Sequence, residues 1–105
     1  MAAVGAFAVV YRFVVAVDDE AALIEAWRAM TLIFRERCGG LGSRLHRADD
    51  GTFVAYARWP SRATRDAAKP EGDDVDRWRA QLKRTARTTS TEAVLEVVDD
   101  LLIDT

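Results

Sequence analysis

A single cysteine, Cys38, and a single histidine, His46, occur in the 105 residues. One thiol can neither close an internal disulfide nor build a cysteine zinc site, and one imidazole cannot supply a histidine-rich metal site. No metal is therefore expected, and scarce cysteine fits a reducing, cytoplasmic setting. An excess of basic charge is missing too: 15 Lys and Arg stand against 17 Asp and Glu, a net charge of −2. That balance leaves no footprint for a phosphate backbone, so nucleic acid is not an expected partner. Long apolar runs are also lacking. Residues 1–10 are apolar but carry no Lys or Arg, and Arg12 soon interrupts them, which reads as a strand and not as a signal peptide or membrane span. There is no tandem repeat, low-complexity tract or glycine-rich phosphate loop.

Half of the residues are hydrophobic, enough for one core in one domain of this length. Residues 6–17 are mostly β-branched, aromatic or small. Phe7, Val9, Tyr11, Phe13, Val15 and Val17 fall on one face of a strand, and Ala8, Val10, Arg12, Val14 and Ala16 on the other. With both faces largely apolar, both need cover. One set of helices supplies only one cover, so a second copy of the chain, a homodimer, is expected. Residues 19–37 predict a helix, with Asp18 or Asp19 as N-cap, Arg35 and Arg37 in its last turn, and Gly39-Gly40 as its end. Leu23, Trp27, Met30 and Phe34, with Ala26 and Ile33 beside them, form its apolar stripe.

A hairpin follows, residues 41–47 and 53–59 around Asp49-Asp50-Gly51. A three-residue turn puts Leu41, Ser43 and Leu45 on one face with Phe53, Ala55, Ala57 and Trp59. Arg44, His46, Val54, Tyr56 and Arg58 then share the other. Pro60-Ser61 stops the strand and starts a short helical turn to Ala68, with Ser61 as a plausible cap. After a linker over residues 69–74, Val75, Trp78, Leu82 and Ala86 mark a second helix. Residues 88–91 read as a connector and residues 92–103 as the last strand, with Ala93, Leu95, Val97, Leu101 and Ile103 on its apolar face. The order is βαββαβ, an α+β ferredoxin-like domain with helices on one side of an antiparallel sheet.

The run Gly39-Gly40-Leu41-Gly42-Ser43-Arg44-Leu45-His46-Arg47, followed by Asp50-Gly51-Thr52-Phe53-Val54-Ala55-Tyr56-Ala57-Arg58-Trp59-Pro60-Ser61, resembles antibiotic biosynthesis monooxygenase domains. With Tyr11-Arg12-Phe13 and the helix between, the resemblance covers roughly the first two thirds of the chain. It implies a dimeric α+β barrel in which two sheets meet face to face, with a small-molecule pocket between each sheet and its own helices. Its chemically active members include cofactor-independent oxygenases of anthrones and quinols and a haem-degrading branch. The haem branch uses an Asn on the first strand and a His about ten residues after the tryptophan, where this chain has Tyr11 and Lys69. The oxygenases place an Asn four residues before the tryptophan and a Tyr six after it, where this chain has Ala55 and Arg65. Trp59 matches both.

Trp59, Tyr11 and His46 are thus the candidate catalytic residues, and Trp59, Tyr11, Phe53, Leu23, Trp27 and Met30 the candidate substrate-binding set. Each also has a plainer reading. Trp59 can close a pocket with its indole N–H or simply anchor the core. Tyr11 can bond a phenolic substrate or simply pack. His46 can act as a base or serve the dimer face, since the hairpin register turns it away from Trp59. Arg44, Tyr56 and Arg58 lie on that same face, where interface contacts are expected. Cys38, at the negative end of a helix, is no redox candidate. The expected function is a cofactor-independent monooxygenase-like protein binding a small aromatic, quinol or polyketide-like substrate in an apolar pocket. The alternatives are a non-catalytic dimeric ligand-binding or stress-response module and haem binding without turnover.

Overall fold

The computed structural model describes residues 6–103. The alternating apolar residues at its start form β1 (Phe7–Val15). The strand stops two residues short of the expected end. Val17 leaves the sheet, stands 81% exposed and opens a 3-10 turn, because Asp18-Asp19-Glu20 already begins the helical path. The helix α1 (Glu20–Arg37) follows, with Asp19 at its N-cap but without a capping side-chain hydrogen bond. Leu23, Ala26, Met30 and Ile33 are buried along its stripe. Cys38 and Gly40 both donate their amides to the Phe34 carbonyl, at 3.1 and 3.0 Å, and Gly39 takes φ 75° between them. That left-handed residue ends the helix where the Gly-Gly pair predicts.

The strands β2 (Gly42–Arg47) and β3 (Phe53–Trp59) pair with Ser43 opposite Ala57, Leu45 opposite Ala55 and Arg47 opposite Phe53. The expected register and its division of faces hold. Ser61 then caps α2 (Arg62–Ala67), its Oγ accepting from the Thr64 amide at 3.1 Å. The last helix, α3 (Asp73–Thr85), packs on α1 through Val75 and Trp78 against Met30, Ile33 and Phe34.

The expected connector at residues 88–91 is not a connector. The strand β4 (Ala86–Glu96) starts directly where α3 ends, six residues earlier than expected. Its Arg-Thr-Thr-Ser-Thr run is polar yet rich in β-branched residues, which suits an exposed edge strand. Residues 97–103, expected in the strand, lie outside it, and Leu101 and Ile103 are 90% and 86% exposed. Asp99 and Asp100 break the extension by accepting from the amides of Asp100 and Leu102, each at 2.9 Å, local bonds that compete with a ladder.

The sheet order is β2-β3-β1-β4 and every pairing is antiparallel. The architecture is the expected α+β ferredoxin-like one, and α2 is the short helical turn expected after Pro60-Ser61. Phe7, Val9, Tyr11, Phe13 and Val15 face the helices with Phe53, Ala55 and Trp59. Val10, Val14, Val54, Tyr56, Ala93 and Leu95 lie on the other face, which no helix among the described residues covers. On that face a bulge at Glu92 brings its carboxylate within 2.8 Å of Arg12, whose guanidinium also donates to Thr52 at 2.6 Å. One side chain thus ties β1 to β4 and to the hairpin turn.

Candidate functional site

Small residues set the place of the cavity. Ala55 and Ala57 occupy adjacent helix-facing positions on β3, and Ser43 sits beside Ala57 on β2. Three short side chains in a row leave the space that larger ones would fill, and a cavity of about 490 Å³ opens between the sheet and α1. Trp27, Met30, Thr31 and Phe34 of α1 form its roof. Tyr11 and Phe13 of β1 and Trp59 of β3 complete the floor, and Arg65 and Asp66 of α2 stand in its wall. Its size and mostly apolar lining suit a small organic molecule.

Trp59, Tyr11, Trp27 and Met30 all meet this cavity. Leu23 and Phe53 do not. Leu23, one turn before Trp27, is fully inaccessible and packs with Phe13, Phe53, Ala55 and Ala86 at the closed end of the core. Phe53, 2% exposed, is capped there by Arg47, whose guanidinium lies 5.0 Å from the ring centroid and pairs with Glu20. His46 belongs to the opposite face of the sheet. Its Nδ1 donates to the Val54 carbonyl at 3.0 Å, which fixes the imidazole across the hairpin and away from the cavity.

Trp59 is only 6% exposed and serves two neighbourhoods. It packs with Phe7 and Val9 in the core, and its ring also borders the cavity beside Phe34. Tyr11 is half-buried, and its hydroxyl accepts a hydrogen bond from Nη2 of Arg65 at 3.1 Å. A phenol that accepts from a guanidinium keeps its own proton to donate to whatever enters the cavity.

Arg65, Ser43, Thr31 and Phe34 were not among the expected site residues. Arg65 is 54 positions from Tyr11 in the chain, and no local pattern marks such a contact. The only signal in the sequence is its position six residues after Trp59, where the resembling oxygenases carry a Tyr. Ser43 lines the cavity, and its buried Oγ has no hydrogen-bond partner among the described residues. Among the described residues no group of three or more His, Cys, Asp or Glu is placed to hold a metal ion, and no helix is long and apolar enough to cross a membrane.

No family model matches the chain, and no curated protein sequence matches it. Solved structures do. Rv0793 from Mycobacterium tuberculosis is 26% identical, with a TM-score of 0.68 over 92% of this chain and 99% of that one. A candidate antibiotic biosynthesis monooxygenase from Caulobacter crescentus superposes with a TM-score of 0.73 at 17% identity, over 90% and 92% of the two chains. SnoaB, a cofactor-independent oxygenase from Streptomyces nogalater, gives 0.69 at 19% identity, over 92% and 97%. At such identities the last two establish a shared fold and nothing about residues.

Proposed function

The chain has the antibiotic biosynthesis monooxygenase-like fold, and from that premise we propose that it is a cofactor-independent monooxygenase of a small aromatic, quinol or polyketide-like substrate. The observation that carries this reading is the apolar cavity lined by a phenol, Tyr11, hydrogen-bonded to Arg65. In the reaction an activated anthrone or quinol loses a proton, and the resulting anion passes one electron to O2. Superoxide and the substrate radical combine to a peroxide, and loss of water leaves a carbonyl: a CH2 group plus O2 gives C=O plus H2O.

The protein's part is to orient the substrate, exclude water and hold developing charge. Trp59 and Phe34 wall the ring, Tyr11 donates to the substrate oxygen, and Asp66 is the one carboxylate among the described cavity residues that can take the proton. O2 uptake by metal-free protein against a panel of hydroquinones, anthrones and catechols tests the proposal. Sustained turnover supports it, and none across the panel removes it. A second reading, a non-catalytic ligand-binding or stress-response module, is favoured by Ala55 and Arg65, which stand where the resembling oxygenases carry Asn and Tyr. Ligand binding without O2 uptake would select it.

We also propose that two copies of the chain associate through the open face of the sheet. Val10, Val14, Tyr56, Ala93 and Leu95 form an apolar strip on that face beside Arg12, Arg44 and Arg58, and a strip of this kind is stable when covered. A self-complementary two-fold contact supplies the cover with no further chain.

A further inference from the structure

We infer that the ligand of this cavity is an aromatic anion, a carboxylate or a phenol or enol acidic enough to bind as its oxyanion, held by the Arg65 guanidinium and the Tyr11 hydroxyl. The inference rests on the cavity being the ligand site and adds the charge of what enters it.

An arginine in the wall of an apolar cavity needs partners, because a guanidinium carries five N–H donors and no acceptor. Here one Nη2 donor goes to Tyr11. The neighbouring carboxylate does not take up the rest: Asp66 Oδ1 lies 3.8 Å from Arg65 Nη1, beyond hydrogen-bond length, and its side chain is 59% exposed. The arginine side chain is itself 34% exposed, so the fork keeps donors that can meet a ligand. Tyr11, once it accepts from Arg65, still has its own proton to give. A fork of cationic N–H groups beside a phenolic O–H offers more donors than the neighbouring Asp66 takes up, and its complement is an oxygen bearing negative charge.

Ser43 of β2 adds a small polar side chain to the same lining. Between these polar points the walls are Trp27, Met30, Phe34 and Trp59, flat or pliable apolar surfaces suited to an aromatic ring. An apolar body with an acidic oxygen at one edge matches both the walls and the spare Arg65 donors, whereas a neutral hydrocarbon leaves those donors to water.

The test is isothermal titration of the full chain, without O2, using 2-naphthoate and its neutral near-isostere 2-naphthamide. The carboxylate should bind roughly tenfold or more tightly, the size expected when a charge-assisted hydrogen bond replaces a neutral one. Arg65→Gln should abolish that preference while leaving the amide's affinity within about twofold, and Arg65→Lys, which keeps the charge but loses the fork, should retain part of it. Equal binding of the two ligands by the unmodified protein, an equal loss for both in Arg65→Gln, or no binding of either would overturn the inference. Its failure is separable from that of the oxygenase reading. Selective naphthoate binding with no O2 uptake removes only the enzyme, and O2 uptake without carboxylate preference removes only the anion site.

Discussion

Phe34 and Trp59 meet edge to face, their ring centroids 5.7 Å apart and their planes at 74°. The pair joins the end of α1 to the end of β3, so the same indole seals the core and borders the cavity. Trp59→Ala should therefore destabilise the fold by about 3–5 kcal/mol, as for other large aromatic truncations. Trp59→Phe keeps an aromatic partner for Phe34 but loses the indole N–H. Its melting temperature should fall by clearly less than that of the alanine variant, while affinity for a cavity ligand falls by about 0.5–1.5 kcal/mol, one hydrogen bond. A large loss of melting temperature with unchanged affinity would make Trp59 structural alone.

Two surface carboxylates make stability depend on acid. The side-chain hydrogen bond from Arg37 holds Asp74 below the ordinary carboxylate range, reinforced by the Val75 amide and opposed by desolvation. At Asp50 the Thr52 hydroxyl does the same, followed by the Thr52 amide. A carboxyl with a lower pKa folded than unfolded favours the folded state at pH values above its unfolded pKa, about 3.9. The gain is lost as pH falls through the folded value, so the window lies below about pH 4. Asp74→Asn should lower the melting temperature at pH 6, and the gap from the unmodified protein should close as pH drops below about 4. High salt should also narrow it. A gap independent of pH would show that Asp74 acts through geometry and not charge.

The hairpin turn isolates a backbone effect. Gly51 has φ 87°, and a Cβ there would meet no atom within 4 Å. Gly51→Ala thus costs only the left-handed conformation, about 1–2 kcal/mol. Gly51→Asn should recover part of it. Urea titration should show a lower midpoint with an unchanged slope; an alanine variant as stable as the parent would mean that the turn relaxes to another form.

What the sequence discloses is what periodicity carries. The doubly apolar β1, the Leu23 to Phe34 stripe and the hairpin register all follow from spacings of two or nearly four residues, and the structure has them in place. Register in particular was readable because a one-residue slip would have buried Arg44 and His46 and exposed Phe53. The start of β4 was not readable. Thr88 to Thr91 are polar, and only pairing with Tyr11, Arg12, Phe13 and Val14 across the sheet makes them a strand. The same limit applies at the site. Trp59, Tyr11, Trp27 and Met30 could be gathered from faces and stripes, but how far along the core each one lies could not, which is why Leu23 and Phe53 were expected in a cavity that begins one turn away. The Arg65 contact with Tyr11 depends on how α2 folds back over the sheet, and no spacing encodes that.

The open face of the sheet leads to the prediction with the widest consequence. Val14 and Leu95 lie on it, 37% and 43% exposed, with Val10 and Tyr56 half-buried between them. Left in water, this apolar surface gains nothing. Against a second copy it contributes roughly 25 cal/mol per Å² of apolar area removed. A standard interface removes about 800 Å² per partner, so the gain is large enough to withstand the loss of free motion on association. Light scattering at micromolar concentration should return twice the chain mass of 11.7 kDa. Leu95→Glu or Val14→Glu would put an unpaired carboxylate into the contact, where its desolvation is unfavourable, and should return the monomer mass. Neither residue lines the cavity, so 2-naphthoate binding per chain should survive if the two features are independent. A monomer mass for the unmodified chain, or a dimer mass that both glutamate variants keep, would show that this face is not where copies meet.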